Sequence, residues 1–260
     1  MKRLTIAICF LCLSSFSLSV SVRADSVGIK FVGGQPFFTI PAGPVTGTAG
    51  APGLAQADWN NLTGTTGSAN NLLDASGFST GISVSWSSID TWQALTGSVG
   101  PATEDSQLMN GYLDNTSQVG VSGITYGNYE VVVYFNNDSP TQDRVSQFTI
   151  GSTSIFPRDN AAFNGTYVQI PSTSDTDQGV NTPAGNYVIF HGLSGSSFTL
   201  VALPGSSLVT PRSSINAIQI VSTPEPQSAL LSLIGLVGLE ALKLFRRSRR
   251  RFRTPLITPT

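Results

Sequence analysis

The side chains best suited to recognising a ligand are a few aromatic rings set among amides and carboxylates. Three tryptophans, Trp59, Trp86 and Trp92, stand in a chain of 260 residues of which only 11% are charged. In "DWNNLTG" the indole of Trp59 is followed by Asn60 and Asn61. A flat indole beside amides is a stacking platform for the apolar face of a sugar, and the amides can fix its hydroxyl groups. Trp59, Asn60 and Asn61 are therefore the leading candidates for carbohydrate contact. Trp92, at the end of "VSWSSIDTW", and Tyr112, in "MNGYLD", are further candidate platforms. Trp86 continues the alternation of Ile82 and Val84, so it reads as core.

Catalytic chemistry finds less support. His191 is the only histidine. It lies inside the strand-like "YVIFHGL" with no serine elbow in the sequence, so it reads as structural. A metal site with two imidazoles is excluded by count. Paired-carboxylate hydrolysis needs one protonated and one ionised carboxyl group across a cleft. Of the acidic candidates, Glu130 reads as the exposed start of a strand, and Glu104 with Asp105 as a solvated turn or the first turn of a helix. No catalytic residue is assigned, and an extracellular glycan hydrolase or lyase stays as the alternative. "DSPTQD" and "DTDQG" gather oxygen ligands for Ca²⁺, but the second, with Asp175 and Asp177, lacks the distal bidentate glutamate of a calcium loop. It reads as a solvated loop, and no cofactor is expected. The sequons at Asn61, Asn115 and Asn164 read as turns.

The elements that must hold these residues are short and extended. "GIKFVGG", "GISVSWSS", "YEVVVYF", "QFTIG", "TYVQI", "NYVIFHG", "SFTLV" and "INAIQIV" read as strands, separated by Gly-, Asn- and Ser-rich turns. The only weak helical candidates are "GLAQADW" and "EDSQLMNGYLD", and "PAGPVTGTAGAPG" reads as a loop. Many short strands with such connections predict an all-β, jelly-roll-like β-sandwich over residues 25–222. Between residues 25 and 223, four basic residues face thirteen acidic ones, a formal charge of about −9. That balance argues against a nucleic-acid partner.

The two ends read as addresses. Lys2 and Arg3 precede the apolar "LTIAICFLCL", and Val22 and Ala24 occupy the small-residue positions of a signal peptidase site, so residues 1–24 are expected to be a cleaved leader. The only cysteines, Cys9 and Cys12, fall within it, leaving the mature chain without thiols. Near the other end, residues 228–245 form an apolar segment that would rise about 27 Å as a helix, close to the hydrocarbon thickness of a bilayer. Arg246, Arg247, Arg249, Arg250, Arg251 and Arg253 follow, fixing that side as cytoplasmic, with residues 254–260 as the tail.

The order Pro224-Glu225-Pro226, apolar helix and arginine cluster, over residues 223–253, resembles the PEP-CTERM sorting signal of bacterial exported proteins. That resemblance implies processing by the membrane protease-transpeptidase exosortase and delivery to the cell surface or extracellular matrix. Together with the signal, "DWNNLTG", "VSWSSIDTW", "MNGYLD" and "INAIQIV" resemble a group of exported proteins of planctomycete-like bacteria. This likeness implies a jelly-roll domain similar to galactose-binding or malectin-like sandwiches. The expectation is an exported, non-enzymatic surface or matrix protein, anchored in the inner membrane as a precursor and able to meet extracellular polysaccharide.

Overall fold

The computed structural model describes residues 25–34, 42–94, 103–139, 141, 143–159 and 163–223. The expected leader, the Pro224-Glu225-Pro226 motif, the apolar segment 228–245 and the arginine cluster lie outside the described residues. Among the described residues no helix is long and apolar enough to cross a membrane.

In chain order the first elements are β1 (Ser26–Val32), β2 (Asn60–Thr63), β3 (Thr66–Ala69), β4 (Ser83–Gln93), α1 (Glu104–Leu108) and β5 (Gly111–Ser122). Next come β6 (Tyr129–Tyr134), β7 (Arg144–Ile150), β8 (Thr153–Ile155), β9 (Arg158–Asp159) and β10 (Gln169–Ile170). The last are β11 (Ala184–Gly185), β12 (Tyr187–Leu193), β13 (Ser197–Ser207), β14 (Ser214–Ile215) and β15 (Ala217–Ser222). A smaller sheet runs β10-β12-β6-β15-β1-β2, and a larger one β11-β9-β7-β13-β5-β4-β3, with β14 on β5 and β8 on β7. Parallel pairs β1–β2, β10–β12 and β9–β11 make both sheets mixed. The molecule is a β-sandwich of two such sheets.

Alternation places the core. On β6, Val131 and Val133 enter the main core between the sheets, where they meet Val84, Val119, Phe148 and Leu200. Val132 and Tyr134 point the other way, into a second core with Val45, Ala49, Trp59, Leu108 and Phe163. The smaller sheet is thus buried on both faces, which explains the unbroken apolar run "VVVY". The Pro- and Gly-rich stretch expected to be a loop is irregular, and from Ala42 onward it also lies over that sheet and supplies Val45, Ala49 and Ala51.

Of the two weak helical candidates only Glu104–Leu108 is helical. Thr103 caps it by accepting from Ser106 N at 3.1 Å, and Glu104 and Asp105 occupy its first turn. Gly53–Trp59 instead begins in a turn and makes an isolated antiparallel bridge from Gln56 to Ala49. The turn after α1 is held from below. The fully buried Lys30 donates from Nζ to the carbonyls of Leu108 (2.9 Å) and Gly111 (2.6 Å), while Asn136 and Asn216 donate to that of Met109. Burial pushes the Lys30 amine well below its ordinary range.

The first and last described strands are neighbours. β1 pairs antiparallel with β15, Ser26 opposite Val221, and Ser222 N donates to Asp25 O at 2.8 Å. Chain entry and exit therefore share one pole, and β1 runs from it toward Gly34, about 26 Å away at a strand rise of about 3.3 Å per residue.

Candidate functional site

Trp59 presents no stacking face. Its side chain is 5% exposed, its Nε1 donates to Gln56 O (3.1 Å), and its ring meets Tyr134 edge-on at a centroid distance of 6.0 Å. The segment before it folds over the smaller sheet and takes the indole as core, which corrects the expectation of a sugar platform there. The amides beside it are engaged with backbone. Asn60 Nδ2 donates to Gly28 O and Leu73 O, and its Oδ1 accepts from Leu73 N, each at 2.9 Å. Asn61 accepts from Val45 N and donates to Val45 O and Trp59 O. These two residues pin connections to the sheet edge. Tyr112 is also fully buried and offers no platform. Trp86 packs in the main core, as its alternation predicts. His191 is exposed on β12, with Nδ1 2.6 Å from Glu130 Oε1.

Two of the five candidates do meet. Trp92 and Tyr112 are opposite each other across β4 and β5, at the pole distant from the chain ends. Trp92 is half-buried, and the Arg212 guanidinium lies 5.4 Å from its ring centroid, within cation–π range. Leu113 and Ile215 point into the main core, so their strand neighbours Tyr112, Asp114 and Ser214 face away from it. Arg212 Nη1 contacts Asp114 Oδ2 at 2.6 Å. Arg144 pairs with Asp138, its backbone N donates to Asp159 Oδ1 at 2.7 Å, and Asn137 Nδ2 donates to Asp159 Oδ2 at 3.1 Å.

Burial dominates the electrostatics. Desolvation pushes Asp114 up to about 6, with Arg212 opposing and the charges of Asp138 and Asp90 reinforcing it. Desolvation likewise pushes Asp159 up to about 7, against the hydrogen bonds from Arg144 N and Asn137. Tyr112 is raised well above its ordinary range, first by burial and then by Asp138 and Asp114. Among the described residues, the Tyr112 hydroxyl, Asn110 Oδ1 and the Ser213 and Ser214 hydroxyls have no hydrogen-bond partner. Such atoms are costly when buried, and these four stand at or just before the starts of β5 and β14. Close backbone packing shapes this pole. A side chain at Gly33 would place its Cβ 2.1 Å from Trp92 O and 2.4 Å from Tyr112 N, so only glycine lets the end of β1 cross β4 and β5 there.

Sequence reasoning missed Asp114, Arg144, Asp159 and Arg212, and singled out Asp138 only as a loop oxygen ligand in "DSPTQD". One signal was available. Only four basic residues occur in residues 25–223, and two of them, Arg144 and Arg212, sit at this pole. Around the calcium candidate, Asp177 accepts from Ser206 and Gly179 N, and among the described residues no three His, Asp or Glu side chains group as metal ligands.

The outer face of the larger sheet has a different character. Its directly opposed outward side chains form rows across the strands. One row is Ser68–Ser85–Gly120–Thr199, and the next is Thr66–Ser87–Gln118–Val201–Thr149–Ser154. No Asp, Glu, Lys or Arg stands in either row. Two shallow depressions lie along β4 and β5, one of about 410 Å³ around Ser85, Ser122 and Thr199 and one of about 330 Å³ around Ser87, Ile89 and Gln118.

No protein-family model matches this sequence, and no curated protein matches it. Among solved structures, the chain is similar to the ANXUR1 extracellular domain from Arabidopsis thaliana, at 14% identity and a TM-score of 0.37, over 77% of this chain and 50% of that one. It is also similar to the ANX2 ectodomain from Arabidopsis thaliana, at 15% identity and a TM-score of 0.35, over 77% of this chain and 52% of that one. A third is Bacteroides uniformis beta-glucuronidase 2, at 12% identity and a TM-score of 0.34, over 76% of this chain and 18% of that one. The chain spans about half the length of the two ectodomains and less than a fifth of the glucuronidase.

Proposed function

We propose that the chain is an exported, non-enzymatic component of the cell surface or extracellular matrix, whose sandwich, wired as a jelly roll, recognises glycan. In this reading signal peptidase removes the leader, and the inner membrane holds the precursor by residues 228–245. An exosortase-type enzyme then acts at the Pro224-Glu225-Pro226 segment.

The observation that supports glycan recognition is the pole where the half-buried Trp92 lies within cation–π range of Arg212, which is itself paired with Asp114. An aromatic face next to charged hydrogen-bonding groups suits a polyhydroxylated ring, which is apolar on one face and polar at its rim. The test is titration of the full chain in detergent with soluble oligosaccharides, followed by tryptophan fluorescence. Quenching by at least one sugar is expected, with affinity reduced about ten-fold or more in Trp92→Ala and Arg212→Ala. No response to any sugar overturns the assignment of this pole.

A second reading, a glycan hydrolase or lyase, draws on one observation: Asp114, pushed up to about 6, is partly protonated near neutral pH beside an arginine. Release of new reducing ends during the same titration would favour it.

A further inference from the structure

The chain enters and leaves the sandwich at one pole, and the connection from β3 to β4 folds into a small hairpin at that same pole. Leu72 N donates to Ile82 O and Thr80 N to Leu72 O, each at 2.9 Å, and Leu73 bridges Ser79. The tip is a closed turn. Asp74 N donates to Phe78 O, and Asp74 Oδ1 accepts from Ser76 N at 2.8 Å and from Phe78 N at 3.0 Å. Ala75 N donates to Ser26 O at 2.9 Å, so the turn is level with Ser26 and its partner Val221, about two strand spacings, or about 10 Å, from β15. Held there, Phe78 is 71% exposed, while every other phenylalanine, tyrosine and tryptophan among the described residues is buried or half-buried. Leu73, on the same hairpin, is 41% exposed.

The tether decides what lies opposite this turn. Thr223 N is bonded to Asn128 O at 3.0 Å, so the chain belongs to the pole up to that residue. Residues 224–227 alone separate it from the apolar segment 228–245. Five steps of at most about 3.6 Å keep Ser228 within about 18 Å of Thr223, and the interfacial layer on one side of a bilayer takes up about 5–7 Å of that.

We infer that this pole is a membrane-docking surface: in the anchored precursor the Asp74–Phe78 turn rests on the outward-facing surface of the bilayer, with Phe78 at headgroup depth. The inference rests on the reading of residues 228–245 as the membrane anchor, and adds to it a contact made by the folded domain. An aromatic ring at headgroup depth leaves water without having to enter the hydrocarbon. One ring holds a bilayer weakly from solution, but the tether makes the contact intramolecular and keeps it at high effective concentration. The charge of the pole selects the lipid. Asp25, Asp74 and Glu130 stand there, Glu130 beside His191, and the loops 70–82, 123–128 and 194–196 carry no Lys or Arg. A zwitterionic surface accepts such a pole, whereas an anionic one repels it. Docked in this way, the domain turns its Trp92 pole away from the membrane.

The test reconstitutes the full chain in phosphatidylcholine vesicles and reads tryptophan quenching by lipids brominated on the acyl chain just below the headgroup. Phe78→Trp places a reporter in the turn. Leu208→Trp places one at the far pole, where Leu208 is 75% exposed and its N donates to Asp143 O. Both side chains are exposed, so neither substitution disturbs a core. Quenching in Phe78→Trp is expected to exceed that of the unsubstituted chain by about two-fold or more, with Leu208→Trp matching the unsubstituted chain. The Phe78→Trp signal is expected to weaken when half of the lipid is phosphatidylglycerol. Flotation with the vesicles but no added quenching in Phe78→Trp, or equal added quenching in both variants, overturns the docking and leaves the anchor reading intact. Failure of the chain to float with the vesicles overturns the anchor reading and the docking with it. Stronger quenching in the anionic vesicles overturns the zwitterionic surface as the partner. A blue-shifted Phe78→Trp that the brominated lipid does not quench, and that dilution of the protein in the vesicles reverses, places a second copy of the chain on the turn and also overturns the docking.

Discussion

Asp114 and Asp159 are carboxyl groups that the fold keeps from water, and their titration should be visible in stability. Each starts from an ordinary value of 3.8 and is raised in the folded chain, to about 6 and about 7. Between those limits the folded protein holds protons that the unfolded chain gives up, so stability should fall as pH rises from about 4 to about 7 and then level off. Thermal melts at about pH 4.5 and about pH 8 check the sign against the Asp114→Asn/Asp159→Asn variant, which shares the opposing contribution of the buried Lys30 amine, and the midpoint is expected to drop more in the unsubstituted chain on going to pH 8. Asp159→Asn should flatten the upper part of that dependence, and an unaltered slope would count against burial as its cause. At the same scale, residue type was a weak guide to exposure. Trp59 and Trp92 have similar polar neighbours in sequence, but Asn60 and Asn61 face backbone groups, and a segment far from the main core closes over Trp59. Period-2 alternation identified Trp86 as core because it is a local signal, whereas the layer covering Trp59 depends on where residues 42–58 return.

At the scale of elements, six strands of two to four residues left no signal, whereas eight others were legible because their apolar residues alternate or run together between turn clusters. β5 was not. "GYLDNTSQVGVS" carries Asp114, Asn115 and Gly120, and Asn115 sits at φ 69° where the register against β4 shifts. An irregular, polar strand carries little period of its own, yet it lies between β13 and β4 and brings Tyr112 and Asp114 to the pole. What fixes it is tertiary, namely the crossing of Gly33 over its first residues. Gly33→Ala should therefore do more than a surface change of one methyl group. With its Cβ against backbone atoms of Trp92 and Tyr112, it is expected to cost about 1–3 kcal/mol in urea denaturation and to weaken the oligosaccharide response at Trp92. Native stability and an unaltered response would show that the crossing can relax.

For the whole molecule, the sandwich class was readable from composition and turn spacing, and the two ends carry the proposed destination. The intact mass of native protein from membrane and extracellular fractions tests that destination. Loss of residues 1–24 and of everything after about residue 223 is expected in the released form, and an arginine tail retained in every fraction would leave a single-pass envelope protein. The shared pole of entry and exit also bears on how the domain carries load. A tether leaving at Thr223 pulls along β15, which is bonded on one flank to β1 and on the other to β6. If the far pole is held by a polymer, the tension runs lengthwise through that strand, and its interstrand hydrogen bonds resist together in shear instead of opening one after another. The chain would hold firmly between a surface and a matrix and give way more easily when peeled from its ends.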